Sequence, residues 1–214
     1  MSVQLLTLTR RHLLPMLLGA AALLPQAKAS DIAATPDGLV RALASETLET
    51  VKNDKAIQAG DMGKIQALVE AKLLPHVNFQ RLTSSAVGRF WRQATPEQQQ
   101  RIQAEFRTLL MRTYAGALSQ VKDHQLAMRP LRAEPGETEV VVRTQVRGKG
   151  DPIQLDYRLE KVGNVWKIYD MNVLGIWLGD QYRSSFAQEI SANGIDGLIK
   201  SLAERNARSG AAKS

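Results

Sequence analysis

The stretch Trp166–Phe186, WKIYDMNVLGIWLGDQYRSSF, decides the fold. Its first residues alternate as in a β-strand, which predicts Ile168 and Asp170 on one face of a sheet. Gly175 interrupts this alternation, and the residues after it predict a helix that begins at Asp180. The stretch contains no catalytic motif. It therefore predicts a buried strand, a glycine break and a C-terminal helix.

The residues before this stretch alternate in the same way and predict three further strands. Short turns, at Gly163-Asn164 and in the loop 148–152, connect these strands as antiparallel neighbours. The sheet is expected to have one apolar and one polar face, with Asp156 and Glu160 as surface charges on the polar face. The residues predicted on the apolar face are Leu126, Met128, Val140, Val142, Thr144, Val146, Ile153, Leu155, Tyr157 and Leu159.

The chain before residue 124 follows the helical period instead. Thr95-Pro96-Glu97-Gln98 has the form of a capping box with proline in the first turn, and it predicts the start of a long helix. A break at Asn193-Gly194 predicts a second C-terminal helix. Helices on both sides of a one-sided sheet must cover its apolar face. The predicted fold class is α+β, a curved four-stranded antiparallel meander covered on one face by helices.

The N-terminus has the features of a cleaved export signal. Arg10 and Arg11 precede an apolar run over residues 13–24, and Ala27-Lys28-Ala29 provides a small-residue cleavage site before Ser30. The alternative is a membrane anchor, but the apolar run is shorter than the roughly 20 residues that a bilayer span requires. The sequence therefore predicts a protein exported to the periplasm.

Length and composition restrict the possible functions further. We expect a cleaved signal over residues 1–29, a single domain over 30–207 and a disordered tail over 208–214. The chain has no cysteine, so it has neither disulfides nor a thiol nucleophile. Its formal net charge is +7, which suits either an ordinary solvated surface or contact with anionic membranes. No basic run is interleaved with aromatic residues, so no nucleic-acid partner is predicted.

The side chains that usually perform catalysis are not arranged for it. The sequence contains no G-x-S-x-G elbow, no H-E-x-x-H motif and no phosphate-binding P-loop. Of the three histidines, His12 lies in the signal, while His76 and His124 have no acidic neighbour at ligand spacing. Asp170 is predicted to be partly buried and to pair with Arg183. We therefore predict no enzyme, no metal and no cofactor.

Three blocks of sequence together resemble one known family. They are Leu73–Gln98, Phe106–Leu118 and Trp166–Phe186 with its continuation to Leu198. This combination resembles the MlaC (toluene-tolerance) family of periplasmic phospholipid carriers and spans most of the chain after the signal. One departure is plain: the family commonly has Glu-Gly-Val-Ser where this chain has Leu174-Gly175-Ile176-Trp177.

The resemblance implies a cone-like fold of the nuclear-transport-factor-like or cystatin-like kind, with a phospholipid as cargo and its acyl chains in an apolar cavity. It implies two partners, an outer-membrane lipoprotein complex and an inner-membrane ABC transporter complex with a membrane-anchored substrate-binding subunit. The carrier would shuttle lipid between them and so maintain outer-membrane lipid asymmetry.

The family pattern also suggests which residues line the cavity. The implied lipid-binding residues are Tyr114, Ile153, Leu155, Tyr157, Leu159, Ile168 and Ile176. The periodicity of these residues is equally compatible with a solid core. The alternative function is a periplasmic scaffold or chaperone subunit that binds protein rather than lipid.

Overall fold

The alternating residues form one antiparallel sheet in the order β1-β2-β3-β4-β5. The computed structural model describes residues 34–121, 123–134 and 136–211, with side chains only up to residue 208. The predicted export signal, residues 1–29, lies outside the described residues. The strands are β1 Gln125–Met128, β2 Glu139–Arg147, β3 Ile153–Val162, β4 Val165–Val173 and β5 Ile176–Trp177. The predicted meander is confirmed, but the expected count of four strands is wrong.

The fifth strand forms where the sequence predicted a break. Val173 pairs with Ile176, so the chain reverses directly after β4. Leu174 and Gly175, between these two residues, have φ of 53° and 91°. Positive φ at both central residues is what a two-residue hairpin turn requires, and glycine provides one of them without strain. Gly175 therefore marks a hairpin, and the last helix begins at Leu178 rather than at Asp180.

A β-bulge divides the pairing of β3 and β4. Leu159 pairs with Ile168 and Arg158 pairs with Asp170, so Tyr169 is an additional residue in β4. Directly paired residues share a face of the sheet. Asp170 therefore lies on the face opposite Ile168, and the prediction that they share a face is wrong.

In the part of the chain that the structure describes, six α-helices accompany the sheet, and polar side chains cap several of them. They are α1 Pro36–Asn53, α2 Lys55–Gln58, α3 Met62–Leu68, α4 Phe79–Val87, α5 Pro96–Leu118 and α6 Leu178–Ala211. A π-helical turn, Val69–Leu73, and a 3-10 turn, Leu74–His76, follow α3; further 3-10 turns are Gly88–Gln93 and Ser119–Val121.

The helix boundaries follow the predicted capping signals. The predicted capping box is present at the start of α5, where Gln98 N–H donates to Thr95 Oγ1 at 3.2 Å. The predicted break in the C-terminal helix is a kink at Gly194, with φ of 71° and ψ of −179°. The helix α6 extends to Ala211, past residue 208, at which the predicted tail begins.

The apolar interior is divided into three clusters. The aromatic cluster joins α4, α5 and α6, and Phe106 contacts Tyr182 and Phe186 with ring centroids 5.0 and 5.2 Å apart. The α1–sheet cluster contains Leu39, Val40, Leu43, Val140, Val142, Leu159 and Ile168. The helical cluster contains Val51, Ile57, Ile65, Leu68 and Ala115. A domain usually has one contiguous core. The space between these clusters is therefore a candidate for a binding site.

Candidate functional site

The two faces of β3 are buried in an unusual way. Leu155 and Tyr157 lie on the apolar face but are only half-buried, whereas Asp156 between them is 5% exposed. The prediction that Asp156 is a surface charge is therefore wrong. Burying a carboxylate while leaving apolar side chains accessible is the reverse of the usual arrangement. The apolar face of the sheet is thus incompletely covered at this position.

Tyr157 lies next to the uncovered part of the sheet. Its neighbours across the sheet are Val142, which is 1% exposed, and Met171. Burial raises the pKa of the Tyr157 hydroxyl to about 12 because the phenolate would be poorly solvated there. The side chain nevertheless keeps accessible surface. Tyr157 packs against the α1–sheet cluster, so it lies at the boundary between that filled core and the less covered part of the sheet.

Half-buried apolar side chains lie along two of the clusters. Met171 and Val173 of β4 lie opposite Tyr157 and Leu155 on the sheet. Met171, Val173 and, on α5, Leu110 and Tyr114 pack against the aromatic cluster, whereas Tyr157 packs against the α1–sheet cluster. We take the region between these two clusters as the candidate site and call it the apolar cleft, with the half-buried residues Leu110, Tyr114, Leu155, Tyr157, Met171 and Val173 as its candidate lining.

Tyr114 connects the cleft to the start of the last helix. Its hydroxyl donates to Oε1 of Gln181 at 3.0 Å, which joins α5 to the first turn of α6. Tyr182, the next residue, is buried in the aromatic cluster, and burial together with the nearby Tyr114 raises its pKa. The polar end of Tyr114 is thus fixed by a partner while its ring remains at the cleft.

The residues predicted from the sequence occupy three different environments. Ile153, Leu155, Tyr157 and Tyr114 are half-buried. Leu159 and Ile168, at 0% and 7% exposed, are paired across the sheet and fill the α1–sheet cluster. Ile176 is 54% exposed on the edge strand β5.

Three cleft residues, Leu110, Met171 and Val173, were missed by the sequence analysis. Met171 and Val173 belong to β4, and only the bulge at Tyr169 places them on the apolar face. Uninterrupted alternation from Ile168 would place them on the polar face. The available signal was Asp170, a carboxylate where the pattern required an apolar residue.

The polar side of the sheet next to the cleft holds a buried ion pair. Arg158 Nη1 lies 3.0 Å from Asp170 Oδ2 and 3.6 Å from Asp180 Oδ2. Its guanidinium stacks on the ring of Trp177 at 3.9 Å. Arg158 is therefore the partner of Asp170, and the predicted partner, Arg183, instead pairs with Asp180 at 3.4 Å.

Backbone groups complete the environment of Asp170. Its Oδ1 accepts hydrogen bonds from Gly179 N–H at 3.1 Å and Met171 N–H at 2.9 Å. Burial nevertheless raises the pKa of this carboxyl above its ordinary value, and the hydrogen bonds and Arg158 oppose that effect only in part. A Cβ at Gly179 would lie 3.3 Å from Asp170 Oδ2, so the start of α6 approaches the sheet very closely.

Two open depressions lie around the end of α1, away from the cleft. Their volumes are about 420 and 520 Å³. The first is lined by Glu46, Glu49, Thr50, Asn53, Asp54 and Lys72, and the second by Lys52, Lys55, Gln58, Asp123 and Gln125. Both linings are charged or polar, so neither depression suits an apolar molecule.

The described residues offer no metal site, since no three His, Asp or Glu side chains come together there in a way that could hold an ion. Within the same part of the chain, every helix is too short or too polar to span a bilayer.

The fold defines a class of protein: an α+β domain in which helices pack against an antiparallel meander whose apolar face is incompletely covered at Leu155 and Tyr157. The chain belongs to the MlaC family. The profile of the family described as MlaC protein matches residues 41–204.

Curated relatives agree with this assignment. The toluene tolerance protein Ttg2D of Pseudomonas putida is 30% identical over 193 residues, which cover 90% of this chain and 87% of that protein. The intermembrane phospholipid transport system binding protein MlaC of Haemophilus influenzae is 22% identical over 173 residues, covering 78% and 80% of the two chains.

A solved structure resembles most of this chain. It is the phospholipid-binding protein from Ralstonia solanacearum in complex with a phospholipid, determined at 1.53 Å. It is 46% identical to this chain with a TM-score of 0.79, and the match covers 81% of this chain and 98% of that one.

Proposed function

We propose that this protein is a periplasmic phospholipid carrier that holds acyl chains in the apolar cleft. The observation that carries the proposal is the half-buried apolar face of β3, with Leu155 and Tyr157 accessible while Asp156 behind them is buried. The phospholipid bound by the Ralstonia protein, which is 46% identical, supports the same cargo here.

Physical chemistry favours such a cargo in this cleft. Each methylene removed from water is worth about 0.8 kcal/mol, so acyl chains strongly favour an apolar enclosure over the aqueous periplasm. The cleft offers aliphatic, aromatic and methionine side chains, and methionine adapts well to irregular chains. Because burial raises the pKa of Tyr157 to about 12, its phenol is uncharged near neutral pH and adds no charge to the cleft.

We further propose that the carrier exchanges lipid with two membrane complexes. These are an outer-membrane lipoprotein complex and an inner-membrane ABC transporter with a membrane-anchored substrate-binding subunit, and the exchange maintains outer-membrane lipid asymmetry. A bilayer is as apolar as the cleft, so loading and release are close to balanced, and direction must come from the partners. The predicted export signal supports a periplasmic location.

Lipid analysis of the purified protein tests this function. Protein isolated from the periplasm is exchanged into volatile buffer for native mass spectrometry, and a parallel sample is extracted with organic solvent. The expected result is a mass increment that matches phospholipids identified in the extract. A lipid-free protein that retains bound polypeptide would contradict the carrier and support the scaffold or chaperone alternative.

The shuttling role needs a cellular measurement. In a strain that lacks this protein, phospholipid is expected to accumulate in the outer leaflet of the outer membrane, and the intact gene should restore the wild-type level. Unchanged outer-leaflet phospholipid would contradict the role in lipid asymmetry while leaving lipid binding to the mass-spectrometric test.

A further inference from the structure

The hairpin turn between β4 and β5 carries an exposed and strained leucine. Leu174 is 68% exposed and Ile176, just after the turn, is 54% exposed. Leu174 has φ of 53°, a conformation that glycine or asparagine adopts more easily than leucine. Folding alone would therefore favour a different residue at this position, and backbone strain of this kind is often associated with function.

The opposite end of the sheet provides an instructive contrast. Val162 and Val165, at 47% and 54% exposed, pair with each other beside the Gly163-Asn164 turn. They lie within strands, where β-branched side chains are favoured, and the residues in the turn itself are glycine and asparagine. Local structure explains these valines, but it does not explain Leu174.

The hairpin lies at the same end of the sheet as the start of β3. Leu174 N–H donates to the carbonyl oxygen of Gln154 at 3.1 Å, and Gln154 lies between Ile153 and the cleft residue Leu155. The neighbouring loop carries the exposed cations Arg147 and Lys149 and one exposed acid, Asp151. The apolar hairpin is thus held at the Leu155 end of β3, the same end of the sheet as a loop that carries two cations and one acid.

We propose that Leu174 and Ile176 form a membrane-contact tip that inserts into the boundary between headgroups and acyl chains of a phospholipid bilayer. A second copy of the chain is a poor occupant, because stable protein interfaces bury about 1,200 Å² or more and two side chains provide a small fraction of that. Each apolar side chain that inserts into a bilayer strengthens binding by itself, without a large interface. Nearby cations add electrostatic attraction to anionic membrane surfaces. The proposal rests on the proposed function, since a carrier must reach the bilayer or a complex in it.

Vesicle co-sedimentation with purified protein tests the tip. The vesicles contain phosphatidylcholine alone or with phosphatidylglycerol, and the variants are Leu174→Asn, Ile176→Thr and the matched control Val165→Thr. Losing one inserted aliphatic side chain should lower the vesicle partition coefficient, obtained from the bound fraction over a series of lipid concentrations, about tenfold or more. Val165→Thr should bind as wild type does. Leu174→Asn should also melt no lower than wild type, because asparagine tolerates the left-handed backbone.

The outcomes separate the tip from the carrier function. Equal binding by wild type, Leu174→Asn and Ile176→Thr, or no binding by wild type, would overturn the membrane-contact tip. If Val165→Thr lost as much vesicle binding as Leu174→Asn and Ile176→Thr do, the membrane-contact tip would be overturned as well. Copurified phospholipid is measured in the same preparations: its presence in all four proteins is expected, and its absence from wild type would instead contradict the proposed function.

Discussion

Leu159 and Leu155 lie on the same strand and face the same side of the sheet, but their surroundings differ. Leu159 is fully buried between α1 and Ile168, whereas Leu155 is half-buried at the apolar cleft. We call these two regions the closed half and the open half of β3. The comparison shows that alternation determines which way a side chain points, while the placement of helices determines whether that side chain is covered.

The closed half is held from both sides. On the apolar side, Val40 of α1 is buried in the same cluster as Leu159. On the polar side, the Arg81 guanidinium lies 3.7 Å from the centre of the Tyr169 ring and 2.7 Å from Glu139. In the open half, the ion pair of Arg158 and Asp170 and the ring of Trp177 cover the polar side, whereas Leu155 on the apolar side is outside the α1–sheet cluster. This asymmetry explains how one strand can belong to both a solid core and a binding cleft.

The largest expected effect distinguishes packing in the two halves. Leu159→Ala should lower the free energy of unfolding by about 2–5 kcal/mol, because it leaves a cavity in a filled core. Leu155→Ala should lower it by about 1 kcal/mol or less, because the residue is already partly accessible. Urea denaturation of delipidated proteins measures both. Equal losses would mean that the open half is packed as tightly as the closed half.

The next effect concerns Asp170, which lies at the bulge that separates the halves. Its pKa is raised by burial, so the folded state binds the proton more tightly than the unfolded state does. This carboxyl therefore makes the protein most stable at low pH, and its contribution decreases as pH rises from the ordinary value of 3.8 through the raised pKa. Asp170→Asn should remove that decrease.

Unfolding midpoints measured over a pH series test this prediction. The stability of wild type relative to Asp170→Asn should fall as pH rises from 3.8 through the raised pKa of Asp170. Asp180→Asn should leave the direction of this pH dependence unchanged, because the Asp180 charge is only the smallest of the causes that act on the Asp170 pKa and burial is the largest. A relative stability that rises with pH would show that Arg158, rather than burial, dominates the carboxyl at Asp170.

The smallest expected effect is at Tyr157, the residue of the open half nearest the closed half. Tyr157→Phe should change the free energy of unfolding by about 1 kcal/mol or less. It should, however, remove a late step in the tyrosinate absorbance titration, because the Tyr157 pKa is raised to about 12. If Tyr157→Phe instead loses amplitude near pH 10, where an ordinary tyrosine titrates, this phenol is not desolvated.

Much of the fold was predictable because local signals agree with it. The alternation in β2 and β3, the capping box at Thr95 and the break at Gly194 each act within a few residues. The fifth strand and the bulge were not predictable in this way. Both depend on pairing with a neighbouring strand, and a glycine after a strand is compatible with a hairpin as well as with an end.

The candidate site was predictable in part for the same reason. The sequence identified the side of β3 that carries Leu155 and Tyr157, but not which part of that side is uncovered. The burial of Asp156 depends on tertiary contacts: its neighbour across the sheet is Asn172, which pairs in turn with Trp177 of the unpredicted strand. Alternation within β3 alone contains no such information.

The central claim is that the open half of β3 contacts acyl chains. The most direct test compares Leu155→Glu with Leu159→Glu in protein isolated from the periplasm, by circular dichroism and lipid mass spectrometry. A charge at an accessible cleft can reach water, whereas a charge in the filled core cannot. We expect Leu155→Glu to fold and carry much less phospholipid than wild type, and Leu159→Glu to unfold. A folded Leu155→Glu protein with the full wild-type lipid content would contradict the claim.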